Sequence, residues 1–133
     1  RGDFRIVTGF RFPKVLGTDF SGTVREVGRG VSGLRPGDAV YGTTQLHLRR
    51  QGAHAGLIPV SVGRIRPVPE GIPFEAAASL PVAALTALNG LRLCGSLSGA
   101  SVLVNGATGG VGHFALQIAK ARGASVTAVC SER

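Results

Sequence analysis

The 133-residue chain contains no methionine and no tryptophan, and Tyr41 is its single tyrosine. Without methionine it lacks even an initiator residue, so its start is either processed or internal to something longer. With so few large aromatic faces it is a poor platform for stacking nucleic-acid bases. Two cysteines, Cys94 and Cys130, are too few for a disulfide framework or a four-thiolate metal site. No run of about 18 apolar residues occurs, which excludes a transmembrane helix. Charge is sparse at 17%, against 44% hydrophobic residues, a composition that buries a core and rules out a wholly disordered chain. Glycine is what the chain has in excess. Its 21 residues are about twice the usual share, which points to tight backbone geometry at many places.

Acidic residues are scarce as well. Seven Asp and Glu against fifteen Lys and Arg leave a formal net charge of +8, and that raises a nucleic-acid or anionic-surface reading. Thirteen of the cations are Arg, scattered from Arg1 to Arg133, with Arg49-Arg50 the only adjacent pair. A phosphate-tracking stripe gathers its charge on one element. The scatter therefore reads as dispersed surface charge, and no nucleic-acid or membrane partner is expected.

Two halves follow different patterns. In residues 1–72 short apolar stretches are broken by Gly and Pro: FSGTVREVG, GLRPGDAVYG and GLIPVSVGRIRPVP. Each apolar piece is strand-length, and Pro36-Gly37-Asp38 reads as a turn. The half is expected to be antiparallel β, a small barrel or sandwich. Residues 45–54 show no periodicity and read as a loop. Residues 73–133 begin with FEAAASLPVAALTALNGL, helical by propensity, interrupted by Pro81 and with Asn89-Gly90 near its end. Ser101-Val102-Leu103-Val104 reads as a fully buried type of strand. Val111, Phe114, Ala115, Ile118 and Ala119 then mark one apolar face of a helix, Gly123 stands where a left-handed C-terminal residue belongs, and Ser125 to Val129 reads as a second strand. Strand, helix and strand in about 30 residues make a βαβ unit.

Between the first strand and the helix lies Asn105-Gly106-Ala107-Thr108-Gly109-Gly110-Val111-Gly112, with Ala107, Gly109 and Gly112 in the dinucleotide fingerprint spacing. A small residue at Ala107 makes the tight turn, Gly109 lets the backbone approach a pyrophosphate, and Gly112 allows close helix packing. Free N–H groups at the helix start face the anion. A purely structural glycine turn is the alternative, and the flanking elements favour dinucleotide binding. No Gly-Lys-Ser/Thr follows, so this is not a P-loop.

These blocks resemble the medium-chain dehydrogenase/reductase family, and within it the zinc-free quinone oxidoreductase-like branch. The residues that carry the resemblance are GTDFSGTVREVG, RPGDAVYG, PVPEG with EAAASLPVAALTAL, and VLVNGATGGVGHFALQIAKARGASVTAVCS. They cover most of the chain in the family's order. The resemblance implies an α/β architecture, a partial GroES-like β-barrel (residues 1–72, the substrate side) followed by the first βαβ unit of a Rossmann domain (residues 73–133), the start of a doubly wound parallel sheet. Family members are longer at both ends, and one βαβ unit cannot bury both faces of such a sheet. The chain is accordingly expected to be a fragment, inactive alone, of a full-length parent for which a homodimer is open.

Zinc-dependent members of that family carry His-Glu where this chain has Thr18 and Asp19, and Thr is not a useful zinc ligand. No cysteine lies between Asp38 and Leu93, so no metal is expected. His47, His54 and His113 have no ligand-like spacing and read as surface or loop residues. Cys94 and Cys130 read as small buried residues. Asp19 is either a structural carboxylate or a wall of the cleft. Thr86 either bonds its own helix backbone or, as the resemblance implies, lies near the nicotinamide. Tyr41, ending an apolar strand, reads as packing in preference to a proton donor. The catalytic residues stay unassigned.

Past the second strand come Ser131, Glu132 and Arg133. An acidic residue here bonds the ribose 2′-OH of NAD. Ser131 donates to a 2′-phosphate without repelling it and Arg133 adds positive charge, so NADP(H) is expected over NAD(H), with Glu132 as the complication. The expected cofactor-binding set is Thr86, Gly106, Ala107, Thr108, Gly109, Gly110, Val111, Gly112, Ser131 and Arg133. The expected activity is a zinc-independent, NAD(P)H-dependent hydride transfer to a small electrophilic substrate, a quinone, enone or enoyl-type acceptor, in the cytoplasm. A non-catalytic nucleotide-binding or basic interaction module is the alternative.

Overall fold

The computed structural model describes residues 15–44 and 52–131. The chain divides into two compact units, residues 1–81 and 82–133.

The first unit holds a three-stranded antiparallel sheet of β1 (Asp19–Thr23), β2 (Ala39–Thr43) and β3 (Ile65–Pro67), in that order. Period-2 alternation sends Val40 to the covered face, where it is 5% exposed. The expected turn forms at Pro36-Gly37, and Asp38 closes it by accepting the Arg35 N–H at 2.7 Å. Val24 N–H to Asp38 O and Gly37 N–H to Val24 O extend the pairing beyond β1. A short helix, α1 (Phe74–Ser79), lies against β1, tied there by Ser21 Oγ donating to Phe74 O at 2.6 Å and by the fully buried Ala77.

Of the stretch GLIPVSVGRIRPVP, Ile65–Pro67 forms the strand, preceded by a single 3₁₀ turn at Val62–Arg64. Pro59, earlier in the stretch, has no N–H to give to a ladder. The expected loop at residues 45–54 lies outside the described residues up to 51. Residues 52–54 run beside residues 15–17, with Gly52, Ala53 and His54 N–H donating to Val15, Gly17 and Leu16 carbonyls.

The second unit is the βαβ unit. Helix α2 (Pro81–Leu93) starts on the proline expected to interrupt the helical run, in the first turn, where N–H groups have no intrahelical acceptor and a missing one costs little. It continues through Asn89-Gly90 and ends near Gly95, whose φ is +77°. Strand β4 (Ser101–Asn105) pairs in parallel with β5 (Ser125–Val129), and α3 (Gly110–Ala121) crosses between them. Leu91, Leu97 and Ala119 form the buried centre, with Val102, Ala115, Ile118, Ala124 and Val126 packed around it. Gly123, at φ +83°, ends α3 as expected.

Strand β4 departs from its expected full burial. Val104 is covered, but Leu103 is 68% exposed. In a two-stranded sheet the alternation turns Leu103 to the face opposite Val102 and Val104, and it stays largely exposed there. The cysteines depart as well. Both are exposed, because Cys94 falls just past α2, its thiol directed at Gly90 O at 3.6 Å, and Cys130 falls just past β5. Among the described residues no helix is long and apolar enough to cross a membrane.

Candidate dinucleotide site

The site is built where β4 ends and α3 begins. Gly106 leaves the strand at φ +72°, and no non-glycine described residue has positive φ. The tight turn was expected at Ala107, and the structure puts it one residue earlier. Ala107 is instead a small buried side chain, 9% exposed, under the turn. Asn105-Gly106 is a turn dipeptide, the one signal in the sequence that marks this position. Gly106 N–H and Ala107 N–H both donate to Val129 O, at 3.0 and 3.1 Å, and Gly106 O accepts the Gly109 N–H at 3.0 Å.

Gly109 precedes the first turn of α3 with φ −76° and ψ 162°, an extended conformation open to any residue. Its freedom from a side chain therefore concerns space. A Cβ there would stand 3.3 Å from Gly106 O, with no other neighbour within 4 Å, and Gly109 is exposed. Gly112 is different. A Cβ on it would run into Gly106 O and come within 2.9 Å of Ala107 Cα. The close packing expected of Gly112 is thus against the turn itself.

Helix α3 makes its first backward bond from His113 N–H to Gly109 O at 2.8 Å. The N–H groups of Gly110, Val111 and Gly112 precede it and have no intrahelical acceptor. No acidic side chain stands in this first turn and no side chain caps it. The positive end of the helix dipole thus faces outward beside an exposed Thr108, Gly109 and Gly110. A phosphate-bearing group fits these donors.

Two further expected residues lie on elements that adjoin this turn. Ala83 Cβ lies 3.7 Å from the Cβ position of Gly110, so the start of α2 packs at the start of α3. Thr86, exposed, follows Ala83 by three positions on the same helix face. Asn105 and Val129 are register partners, so the exposed Ser131, two residues past β5, belongs to the same carboxyl edge of the sheet as the glycine turn. Glu132 and Arg133 lie outside the described residues.

In the first unit Thr18 immediately precedes β1 and Asp19 opens it. Thr44 N–H donates to Thr18 O at 2.7 Å, and Thr44 Oγ1 to Gly17 O at 3.4 Å. No three His, Cys, Asp or Glu residues gather into a metal-binding group among the described residues. His47 is outside them. His54 and His113 are exposed as expected, His113 sharing a 2.9 Å hydrogen bond with the Gln117 amide. Tyr41 is half-buried in β2, opposite Ser21 and Arg66.

The alcohol dehydrogenase GroES-like domain matches residues 1–70. The chain is 42% identical over 129 residues to the mitochondrial NAD(P)H oxidoreductase RTN4IP1 of Mus musculus, covering 93% of this chain and 32% of that protein. It is 40% identical over 129 residues to the chloroplast envelope quinone oxidoreductase homolog of Arabidopsis thaliana, covering 92% and 39%. Among solved structures it superposes on the quinone oxidoreductase from Coxiella burnetii with a TM-score of 0.84 at 38% identity, over 92% of this chain and 38% of the other. The chain spans about a third of the length of the curated relatives it matches.

Proposed function

The chain belongs to the alcohol dehydrogenase GroES-like family, within the medium-chain dehydrogenase/reductases, and from that premise we propose that it is part of an NAD(P)H-dependent oxidoreductase that reduces a quinone, enone or enoyl-type acceptor without a metal. The observation that carries the reading is the glycine turn in its full context: a parallel β4-α3-β5 unit with outward N–H donors and no side chain at Gly109.

In this reading the bound nicotinamide supplies a hydride for the acceptor's electrophilic carbon. The chain's own residues bind and orient. Gly110, Val111 and Gly112 donate N–H groups to the pyrophosphate, Gly109 gives it room, and Thr108 borders it. Thr86, as the family resemblance implies, would lie near the nicotinamide. Ser131 would donate to the ribose 2′ substituent, and that hydroxyl together with the positive charge of Arg133 in the sequence supports NADP(H) over NAD(H). Residues 1–72 form the substrate side and residues 73–133 the cofactor side. Metal independence is supported by Thr18, a poor ligand at the position where zinc-using relatives of the family carry His. Charge developing on the acceptor oxygen is then met by hydrogen bonds.

The test is NADPH consumption by the intact protein with a panel of quinones and enones, with and without a strong chelator. The expected result is acceptor-dependent consumption that the chelator leaves unchanged. Cofactor binding without turnover of any acceptor contradicts the catalytic reading, and loss of activity to the chelator contradicts metal independence.

A further inference from the structure

Two donors converge on one acceptor at the carboxyl edge of the parallel sheet. Asn105↔Val129 is the last registered pair of β4 and β5. Beyond it Gly106, at φ +72°, turns the chain so that its own N–H and that of Ala107 both reach Val129 O, at 3.0 and 3.1 Å. A carbonyl has two lone pairs and accepts both. Gly106 O then accepts the Gly109 N–H at 3.0 Å. A continuous run of hydrogen bonds thus ties the last residue of β5 to the glycine that the pyrophosphate would approach.

We propose that this run is a latch that holds the glycine turn and the segment after β5 at a fixed spacing, which makes Gly106 a positioning residue for cofactor discrimination. The proposal rests on the dinucleotide reading above. NADPH presents anionic groups at two places, its pyrophosphate at the turn and its 2′-phosphate beside Ser131. Both contacts form without strain only when the turn and the post-β5 segment keep their register, so the preorganised spacing favours NADPH. NADH lacks the second anionic contact, and its binding depends on the turn alone. Loosening the latch therefore weakens NADPH more than NADH.

Gly106 offers a clean probe. A Cβ on it would meet no atom within 4 Å, so Gly106→Ala perturbs only the backbone, through the left-handed φ that Ala disfavours. Asn tolerates that region better than other L residues, so Gly106→Asn is the conservative rescue. The experiment titrates NADPH and NADH into the intact wild-type, Gly106→Ala and Gly106→Asn proteins, with amide hydrogen exchange at Ala107 followed in each. The latch predicts that Gly106→Ala lowers the NADPH-to-NADH affinity ratio at least fivefold and speeds exchange at Ala107. Gly106→Asn keeps the ratio within twofold of wild type. Equal weakening of both cofactors by Gly106→Ala, or a Gly106→Ala protein with the wild-type ratio, overturns the latch. A wild-type protein that binds both cofactors equally contradicts the Ser131 reading and, with it, the role in discrimination. Ala107 unprotected from exchange in the wild type overturns the latch as well.

Discussion

The carbonyl oxygen of Gly106 occupies the space that a Cβ on Gly112 would need. The first turn of α3 can sit this close to the β4–α3 turn only because residue 112 has no side chain. Gly112→Ala must push the helix start away from the turn, with the Ala107 Cα also only 2.9 Å from the new atom. Overpacking of this kind costs about 1–3 kcal/mol. Urea denaturation of the variant should show a lower midpoint with an unchanged slope, and an unchanged midpoint would contradict the packing role.

Gly17 carries a comparable constraint in the first unit. Its φ is +89°, and a Cβ on it would lie 2.7 Å from Cδ2 and 2.9 Å from Nε2 of His54. Gly17→Ala therefore combines a backbone cost of about 1–2 kcal/mol with a steric cost against the imidazole. Removing the ring relieves only the second. In a double-mutant cycle, Gly17→Ala with His54→Ala should be less destabilised than the two single changes summed. Strict additivity would show that the ring yields freely.

In the proposed reading Ser131 is the described residue set beside the ribose 2′ position of the cofactor. Ser131→Ala removes a hydroxyl donor but no charge and no buried contact, since the residue is exposed. NADPH affinity should fall roughly three- to tenfold, as for one solvent-exposed hydrogen bond of about 1 kcal/mol, and NADH affinity should stay near wild type. Paired titrations check this. Equal losses, or a loss confined to NADH, would show that Ser131 does not face a 2′-phosphate.

Much of this organisation was legible because it depends on periodic or local signals. The apolar spacing of Val111, Phe114, Ala115, Ile118 and Ala119 foretold α3, and Gly123 foretold its end. Pro36-Gly37-Asp38 foretold the turn before β2. The failures have separate physical causes. GLIPVSVGRIRPVP signalled β character without saying which part pairs, and only Ile65–Pro67 does. Leu103 sits in an apolar run that suggests burial on both faces, yet burial depends on what packs across the sheet. Cys94 and Cys130 lie one residue past their elements, a boundary no propensity fixes. The fingerprint spacing identified Gly109 and Gly112, but it credited the turn to Ala107. The Asn105-Gly106 dipeptide carried the better signal, and the second hydrogen bond onto Val129 O depends on a register that only the folded sheet sets.

In the proposed function the space at Gly109 is reserved for a dinucleotide pyrophosphate. The most direct test is titration of NADPH into the intact wild-type and Gly109→Val proteins, with each fold checked by urea denaturation. Residue 109 has φ −76° and ψ 162°, which Val adopts without strain, and its Cβ would meet only Gly106 O, at 3.3 Å. The expected result is a folded variant whose NADPH affinity is lower by more than tenfold, or about 1.4 kcal/mol. A folded Gly109→Val protein that binds NADPH as tightly as wild type would contradict this reading.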